Sequence, residues 1–251
     1  MARIIGVFSG KGGVGKTTLV SNLGVLLAQE GLDVAVVDAN LTGANLGLHY
    51  GLISYPTSIH DVIKDRAAIK EAVYKHRSGV DIVPASLSFE EVLETEPKNL
   101  RDKLEALGKD IILIDAATGL DRETLKAMEM CDELIIVTHP ELPTISDALR
   151  TKSVAKKFSK NVLGIVLNRV TRDDEIKKDN LSTFFDLPIL GVIPEDHRVR
   201  KSIEKKNPIV LEYPNHRISY ELKKIAARIL GREPIKERES LIDKIKAFFR
   251  I

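Results

Sequence analysis

A glycine-rich loop directly after a short apolar run constrains this chain more than any other feature of its sequence. Residues 4–8 are apolar and predict a buried β-strand, and the loop from Gly10 to Thr17 reads Gly-Lys-Gly-Gly-Val-Gly-Lys-Thr. This spacing matches G-x-x-x-x-G-K-[ST], in which backbone N–H groups converge on phosphate oxygens at the N-terminus of a helix. The sequence therefore predicts a strand–loop–helix unit that binds a nucleotide.

The residue types in the loop have separate predicted roles. Lys16 should reach the β- and γ-phosphates, and the Thr17 hydroxyl should hold Mg²⁺. The remaining candidate phosphate-binding residues are the other loop positions and the residue after the loop: Gly10, Lys11, Gly12, Gly13, Val14, Gly15 and Thr18. A glycine-rich turn alone says little, but here strand, loop, Lys-Thr and helix follow one another in the required order.

Short aliphatic runs alternate with helix-like stretches along the chain. The runs occupy residues 4–8, 34–38, 111–115, 134–138, 162–167 and 189–193. Their near-continuous Val, Ile and Leu content predicts strands covered on both faces in a mostly parallel sheet. Helices are predicted over residues 17–29, 122–130, 146–158 and 220–230. The βαβα order predicts a three-layer, doubly wound α/β fold, whose ligands bind at the carboxyl ends of the strands.

Length and composition fit one large domain with a short tail. A chain of 251 residues, 43% apolar and 29% charged, can bury a full core. We expect the domain over residues 1–231, a hydrophilic tether over residues 232–239 and a terminal helix over residues 240–251. No apolar run approaches the roughly 20 residues that a spanning helix needs, and the expected location is the cytoplasm.

The single cysteine and the net charge exclude some classes of function. Cys131 stands alone, which excludes an intramolecular disulfide and any Cys-only metal cluster within one subunit. We expect it to be a buried structural thiol. A net charge of +2 does not by itself indicate a nucleic-acid partner.

Two carboxylates stand at the ends of predicted strands. Asp115 follows a fully apolar strand close to where the phosphate loop opens, and a carboxylate there can hold Mg²⁺ directly or through water. Asp38 ends a second such strand. We therefore predict that Thr17 and Asp115 hold the metal.

The lysine after the first glycine of the loop narrows the interpretation. With Lys11 in place, the chain resembles the deviant Walker A family that includes MinD, ParA/Soj and the nitrogenase iron protein, whose loop reads K-G-G-x-G-K-T. In that family the early lysine crosses a dimer interface to the phosphates bound by the partner. The resemblance implies a P-loop NTPase of the SIMIBI type, with ATP and Mg²⁺ as ligands, an ATP-dependent homodimer, and Lys11 and Lys16 as catalytic residues.

The resemblance covers nearly the whole chain to Gly231 and is greatest to the MinD branch. It implies that Asp38 joins Thr17 and Asp115 in the metal site and is a catalytic residue, lying in switch I beside the metal and the attacking water. It also implies that the Gly119 N–H in switch II contacts the γ-phosphate. Relatives hold adenine with residues at the ends of the later strands, which here are Asn168, Arg169, Pro194, Glu195 and Asp196. An Asn amide both donates and accepts, which suits adenine, and no carboxylate motif for guanine is apparent.

Two positions depart from the family pattern. Relatives commonly have D-x-D in switch I, whereas this chain has Asn40 at the second position. An amide cannot accept a proton as a carboxylate does, although it still hydrogen-bonds water. Switch II, usually D-x-P-A-G, reads Asp-Ala-Ala-Thr-Gly and lacks the proline. We predict that nucleotide binding and dimerisation survive. Hydrolysis should be slow because Asn40 stands at the position of a catalytic carboxylate.

The C-terminal residues have the pattern of an amphipathic helix. The apolar members of the segment fall on one helical face: Leu241, Ile242, Ile245, Phe248 and Phe249. Basic residues flank this face, a pattern typical of an interfacial membrane helix and similar to the membrane-targeting tail of MinD proteins. The prediction is peripheral association with the inner face of the cell membrane; the alternative is a last helix packed on the protein itself.

The leading hypothesis is an ATP-switched ATPase that positions other proteins, as in division-site selection. The alternatives are a ParA-like DNA-segregation ATPase, a FlhG-like regulator of appendage number and a nucleotide-gated scaffold with little turnover. An iron–sulfur carrier is disfavoured, because a cluster bridging two subunits needs two cysteines per chain. Relatives bind a regulatory protein near the helix that here carries Asp147, but the sequence does not identify such a partner.

Overall fold

A sheet of eight strands, parallel except at one edge, organises residues 2–88, 100–171 and 184–233, which are the residues that this computed structural model describes. The strands are β1 (Arg3–Phe8), β2 (Val34–Ala39), β3 (Tyr74–Lys75), β4 (Asp81–Val83), β5 (Ile111–Ala116), β6 (Glu133–Thr138), β7 (Asn161–Val170) and β8 (Ile189–Pro194). Their order is β3-β4-β2-β5-β1-β6-β7-β8, and β3 alone in this set runs antiparallel to its neighbour. The predicted doubly wound α/β fold is confirmed.

Helices follow most of these strands within the same residues. They are α1 (Lys16–Gln29), α2 (Leu46–His49), α3 (Ile59–Ile63), α4 (Leu100–Glu105), α5 (Arg122–Met130), α6 (Leu142–Lys157), α7 (His197–Glu204), α8 (Ile209–Glu212) and α9 (Arg217–Ile229). A 3₁₀ turn spans Ile69–Ala72. The bounds of α5 agree with the predicted ones. The predicted starts of α6 and α9, at residues 146 and 220, are wrong because both helices begin earlier.

Alternate residues of the central strands pack into helix layers on opposite faces of the sheet. In β1, Ile5 and Val7 join the core formed with α1, α8 and α9, whereas Ile4 and Phe8 join the core formed with α3, α4 and α5. All six residues of β2 are buried, as are all six of β5. This double coverage is why the strands lack polar alternation in the sequence.

The strand order reverses at β1, which lies between β5 and β6. In an open parallel sheet such a reversal leaves a crevice at the carboxyl ends of the strands, where ligands bind. The register sets Asp38 of β2 beside Asp115 of β5, and Val7 of β1 beside the same Asp115. The loop after β1 therefore opens next to both strand-end carboxylates.

Two further expectations concern the single cysteine and the C-terminal segment. Cys131 is fully buried, its thiol donates to the Ala127 carbonyl at 3.1 Å, and burial raises the pKa of the thiol far above its usual range, which fits a structural residue. Most of the tether and the whole predicted terminal helix, residues 234–251, lie outside the described residues. Within the described residues, no helix combines the length and the apolarity needed to cross a membrane.

Candidate nucleotide-binding site

The loop between β1 and α1 leaves backbone N–H groups open at the start of α1. Gly15, the residue before the helix, has φ 94° and ψ 27°, and no side chain caps the first turn. A Cβ atom at Gly15 would lie 2.2 Å from Nδ2 of Asn168, so only glycine fits this close approach in a left-handed conformation. Gly13 also has a positive φ, and a Cβ there would meet nothing within 4 Å. Such a loop has the form of an anion cradle.

Lys16 is buried beneath the loop with a neutral partner. Its side chain is 6% exposed, and Nζ donates to the Ser9 hydroxyl at 3.1 Å, its sole hydrogen-bond partner within the described residues. The Ser9 hydroxyl in turn donates to the Lys11 carbonyl at 2.8 Å. Burial lowers the pKa of Lys16, and the nearby charge of Asp115 opposes this shift. A buried ammonium without a contacting carboxylate is a site for an anionic ligand.

Asp38 and Asp115 form a buried acidic pair beside Lys16. Burial, followed by the charge of Asp115, raises the pKa of Asp38 to about 8. Burial raises the pKa of Asp115 to about 6, while the side chain of Thr17 and the charge of Lys16 oppose the rise. Two buried carboxylates with raised pKa values form a site that would favour a cation.

The hydrogen bonds of the two carboxylates differ. Oδ1 of Asp38 accepts from the Asn40 N–H at 3.1 Å, and Oδ2 accepts from the N–H groups of Asn45 and Leu46 at 3.0 Å each. Neither oxygen of Asp115 has a partner among the described residues, although both are buried. Asp115 is therefore the carboxylate free to hold a metal, whereas Asp38 shapes the loop after β2.

The donor set around Asp115 fits Mg²⁺. No group of three or more His, Cys, Asp or Glu side chains in the described ranges can hold a metal ion, so these residues offer no complete cage of their own. Mg²⁺ usually takes one or two protein oxygens and completes its shell with water and phosphate. Asp115 with the Thr17 hydroxyl would meet this requirement, and the metal site of Thr17, Asp38 and Asp115 stays a prediction.

An apolar cavity of about 830 Å³ adjoins the phosphate loop. Leu19, Val137, Val166 and Ile193 contribute apolar walls, and Asn168 is among its polar residues. Nδ2 of Asn168 donates to the Val14 carbonyl at 2.7 Å, which orients the amide and leaves its oxygen available. A cavity with apolar walls and few oriented polar groups suits a purine base.

The other predicted base-binding residues line the same cavity. Arg169 has φ 56° and pairs with Glu195 through Nε and Oε2 at 2.7 Å, and this pairing raises the pKa of Arg169. Asp196 accepts from the Arg198 N–H at 2.8 Å at the start of α7. Pro194 is also among the lining residues. The structure thus brings the predicted base-binding residues together around one cavity, with Arg169 and Glu195 bonded to each other.

Three predicted residues lie at the open side of the loop. Lys11 and Gly12 are exposed, and Thr18 in the first turn of α1 is half-buried beside the cavity. Gly119 has φ 90°, and its N–H donates to the Ser9 carbonyl at 3.1 Å. The Gly119 N–H predicted to contact a γ-phosphate is therefore bonded to the protein in this structure.

Sequence reasoning missed two residues of the site, Ser9 and Glu123. Ser9 follows β1 directly and is the contact of both the Lys16 ammonium and the Gly119 N–H. Its position at a strand end was the available signal. Glu123 in α5 accepts from the Leu41 N–H and from the Thr42 hydroxyl, both of which belong to the loop after β2. No local pattern in the sequence indicates that pairing.

The segment after switch I is fixed to α1 by a buried histidine and a tyrosine. Nδ1 of His49 lies 3.4 Å from the Ser21 hydroxyl, and the Tyr50 hydroxyl donates to the Ser21 carbonyl at 2.7 Å. Burial lowers the pKa of His49 from 6.5 to about 4. In the folded protein His49 is therefore neutral at neutral pH and becomes protonated only near pH 4.

This burial predicts a loss of stability in acid. The unfolded chain binds a proton at His49 below about pH 6.5, whereas the folded chain does not until about pH 4. The free energy of unfolding should therefore fall through this window, by about 3 kcal/mol from His49 alone. Urea unfolding from pH 7 to pH 4 should show a shallower decline for His49→Gln than for wild type. The exposed His197→Gln is the control, and equal slopes for wild type and His49→Gln would contradict the prediction.

A phosphate loop at the reversal point of a parallel sheet, with a buried lysine and a strand-end aspartate, defines a P-loop nucleotide-binding protein. A family model described as the CobQ/CobB/MinD/ParA nucleotide binding domain matches residues 5–209. This chain belongs to that family.

Individual relatives resemble the chain over nearly its whole length. An uncharacterised ATP-binding protein of Methanocaldococcus jannaschii is 38% identical over 257 residues, which cover 99% of this chain and 97% of that protein. The cell division ATPase MinD of Pyrococcus furiosus has a TM-score of 0.88 at 35% identity, covering 92% of this chain and 99% of that one. The septum site-determining protein MinD of Pyrococcus horikoshii, solved with Mg-ADP, has a TM-score of 0.87 at 34% identity, covering 97% and 99%. Within the family, the chain is MinD-like.

Proposed function

We propose that this chain is an ATPase that binds ATP with Mg²⁺, dimerises in the ATP-bound form, hydrolyses slowly and associates reversibly with a membrane to position partner proteins. The observation that supports the proposal most is the buried Lys16, which has only the Ser9 hydroxyl as a partner in the described ranges and lies near the unsatisfied Asp115 carboxylate. A triphosphate and its metal supply the charges that both groups lack. The solved MinD of Pyrococcus horikoshii contains Mg-ADP, which is consistent with this pairing.

The residues of the chain would divide the work as follows. The loop N–H groups and Lys16 hold and neutralise the phosphates, and Asn168 orients the base. Thr17 and Asp115 hold Mg²⁺, which when bound neutralises charge that develops on the phosphate oxygens. Asn40, where relatives have a carboxylate, orients water but accepts no proton, which is why turnover should be slow.

Dimerisation depends on Lys11 in this proposal. Lys11 is exposed at the mouth of the loop and pairs with no carboxylate in the described part of the chain. An exposed ammonium beside a phosphate cradle could contact a nucleotide held by a second copy, which supports this role. ATP would then join two subunits face to face, as the family resemblance implies.

Membrane association depends on the terminal segment, residues 240–251. One short amphipathic helix binds lipid weakly, because a few buried side chains supply only a few kcal/mol before ordering costs. Two such helices presented by one dimer act together, and avidity multiplies their binding by about 10²–10⁴. ATP would control membrane binding in this way without any contact between nucleotide and lipid.

Truncation after Arg238 should separate dimerisation from membrane binding. With Mg-ATP, both the full chain and the truncated chain should elute as dimers in size-exclusion chromatography. With ADP or no nucleotide, both should elute as monomers. In flotation with anionic phospholipid vesicles, the full chain should float with ATP only. The vesicle-bound fraction of the truncated chain should be at least about tenfold lower than that of the full chain, because both anchors of the dimer are removed.

The control for this truncation is a full-length variant that keeps the tail but lacks its apolar face. Phe248→Ser with Phe249→Ser should reproduce the loss of vesicle binding and leave the ATP-dependent dimer intact. Equal vesicle recruitment of the truncated and full chains would rule out the tail as the membrane anchor. Absence of any ATP-dependent dimer would rule out the switch itself.

A further inference from the structure

The carboxylate of Glu123 joins two loops that flank the phosphate site. Glu123 lies in the first turn of α5, which follows Gly119, and its side chain reaches across to the loop after β2. Oε1 accepts from the Leu41 N–H, and Oε2 lies 3.4 Å from the Thr42 hydroxyl. Leu41 and Thr42 directly follow Asn40, so one side chain connects the loop of Asn40 to the helix of Gly119.

The bonds on either side of this connection are local. The Asn40 N–H donates to Oδ1 of Asp38, and Nδ2 of Asn40 donates to the Gly43 carbonyl at 2.8 Å. At the other end, Asp121 caps α5 by accepting from the Thr124 N–H at 2.9 Å. Among the described residues, the Glu123 carboxylate is the polar link between these two loops outside the adjacent strands β2 and β5.

The environment of Glu123 argues against an ordinary surface ion pair. The residue is half-buried, and no lysine or arginine pairs with it within the described residues. Burial, followed by the charge of Asp121, raises the pKa of Glu123, while the hydrogen bonds from Leu41 and Thr42 lower it. A carboxylate that is partly desolvated and satisfied only by the opposite loop contributes chiefly to the position of that loop.

The hydrogen bond made by the Gly119 N–H indicates which movement Glu123 would pass to the loop of Asn40. The Gly119 N–H donates to the Ser9 carbonyl, so contact with a γ-phosphate requires that bond to break. Gly119 lies directly upstream of α5, so its movement toward a phosphate would pull on the start of that helix. A shift of α5 carries Glu123 with it, and Glu123 carries the Leu41 N–H. The loop of Asn40 would then move with the loop of Gly119.

We propose that Glu123 is a positioning residue that couples the two switch loops, so that engagement of Gly119 by the γ-phosphate places Asn40 for hydrolysis. The proposal deepens the proposed function and depends on it for the γ-phosphate. Glu123 itself does not touch the nucleotide. Its removal should therefore leave nucleotide affinity unchanged and lower the rate of the chemical step.

The test compares Glu123→Ala, Glu123→Gln and the control Glu129→Ala, an exposed residue on the same helix. Single-turnover hydrolysis of bound ATP should slow about tenfold in Glu123→Ala, the rate equivalent of one charge-assisted hydrogen bond. Glu123→Gln keeps an oxygen acceptor for the Leu41 N–H and should stay within about threefold of wild type. The Kd for Mg-ATP should be the same in wild type and in all three variants. The melting temperature of Glu129→Ala should equal that of wild type.

Hydrogen exchange gives a second readout that does not require turnover. The non-hydrolysable analogue AMPPNP should slow exchange in residues 40–45 of wild type and of Glu129→Ala, but not in Glu123→Ala. In the nucleotide-free proteins, the Leu41 amide should exchange faster in Glu123→Ala than in wild type. These comparisons also detect a Glu123→Ala chain that fails to fold, because exchange would then rise in every segment; Glu123→Met, which keeps the length of the side chain but removes the oxygen acceptor, would replace it.

The possible outcomes distinguish a failure of the proposed Glu123 coupling from a failure of the proposed ATPase function. A wild-type rate in Glu123→Ala, or an unchanged response of residues 40–45 to the analogue, overturns the proposed coupling. If wild type itself fails to bind Mg-ATP, the proposed function fails, and the Leu41 amide in the nucleotide-free proteins then decides whether Glu123 holds the loop. Equal Leu41 exchange in Glu123→Ala and wild type overturns that link as well.

Discussion

Replacing Lys16 with alanine is expected to lower the affinity for Mg-ATP at least about a hundredfold, equivalent to roughly 2.7 kcal/mol. Lys16 is buried and held by the Ser9 hydroxyl, so its ammonium is already desolvated before a phosphate arrives. Charge-assisted bonds from such a preorganised group are worth more than bonds from an exposed lysine. Isothermal titration calorimetry with Mg-ATP measures the effect, and a melting curve of the nucleotide-free variant confirms that it is folded.

Lys11→Ala is the matched control for the same loop. Because Lys11 is exposed and at the mouth of the loop, its loss should leave the Kd for Mg-ATP within about threefold while the ATP-dependent dimer disappears in size-exclusion chromatography. The two lysines should thus separate nucleotide binding from subunit association. Binding by Lys16→Ala within tenfold of wild type would refute the assigned role of Lys16. A normal dimer in Lys11→Ala would refute the crossing lysine.

Replacing Asn40 with aspartate is expected to raise the single-turnover rate of ATP hydrolysis by about tenfold or more. A positioned general base contributes about 10²–10⁴ to such reactions, and an amide contributes none of that. The gain should fall short of the full range because Asn40 also donates to the Gly43 carbonyl, and aspartate loses that bond. Rapid quench of bound ATP, under conditions that exclude product release, gives the rate of the chemical step.

A second Asn→Asp change controls for added negative charge. Asn215 is exposed and lies near the start of α9, and Asn215→Asp should leave the rate unchanged. The Kd for Mg-ATP should change little in Asn40→Asp, because the effect is on proton transfer. An unchanged or lower rate in Asn40→Asp would show that slow hydrolysis, if present, has another cause.

The features predicted well from the sequence are those that depend on local pattern and on parallel topology. Doubly covered strands have continuous apolar runs, and their carboxyl ends must meet at one edge of the sheet, so Asp38 and Asp115 were expected beside the loop. The start of α6 was misplaced because its first turn contains Pro143, a signal of a helix start that the pattern of later apolar residues obscured. The short strands β3 and β4 were missed because β4 has three residues and β3 two, too few to give a periodic signal.

The features missed depend on tertiary placement. The bond between Lys16 and Ser9 follows from where the loop folds back over the end of β1, and the bonds of Glu123 join residues about 80 positions apart, at sequence separations of 82 and 81. A half-buried glutamate in a helix has no sequence signature that distinguishes it from a solvated one. Its partners are known only once the loop after β2 and helix α5 are placed together.

Helix α1 separates the phosphate loop from Arg232, the residue at which the predicted tether begins. It spans 14 residues from Lys16, and at about 1.5 Å per residue it is roughly 21 Å long. Arg232, where the tether begins, pairs with Glu30 immediately past the far end of this helix. The phosphate loop and the root of the proposed anchor thus lie at opposite ends of one helix. In the proposed function, hydrolysis would therefore release the anchor from lipid by separating the two subunits rather than through direct contact between phosphate and tail.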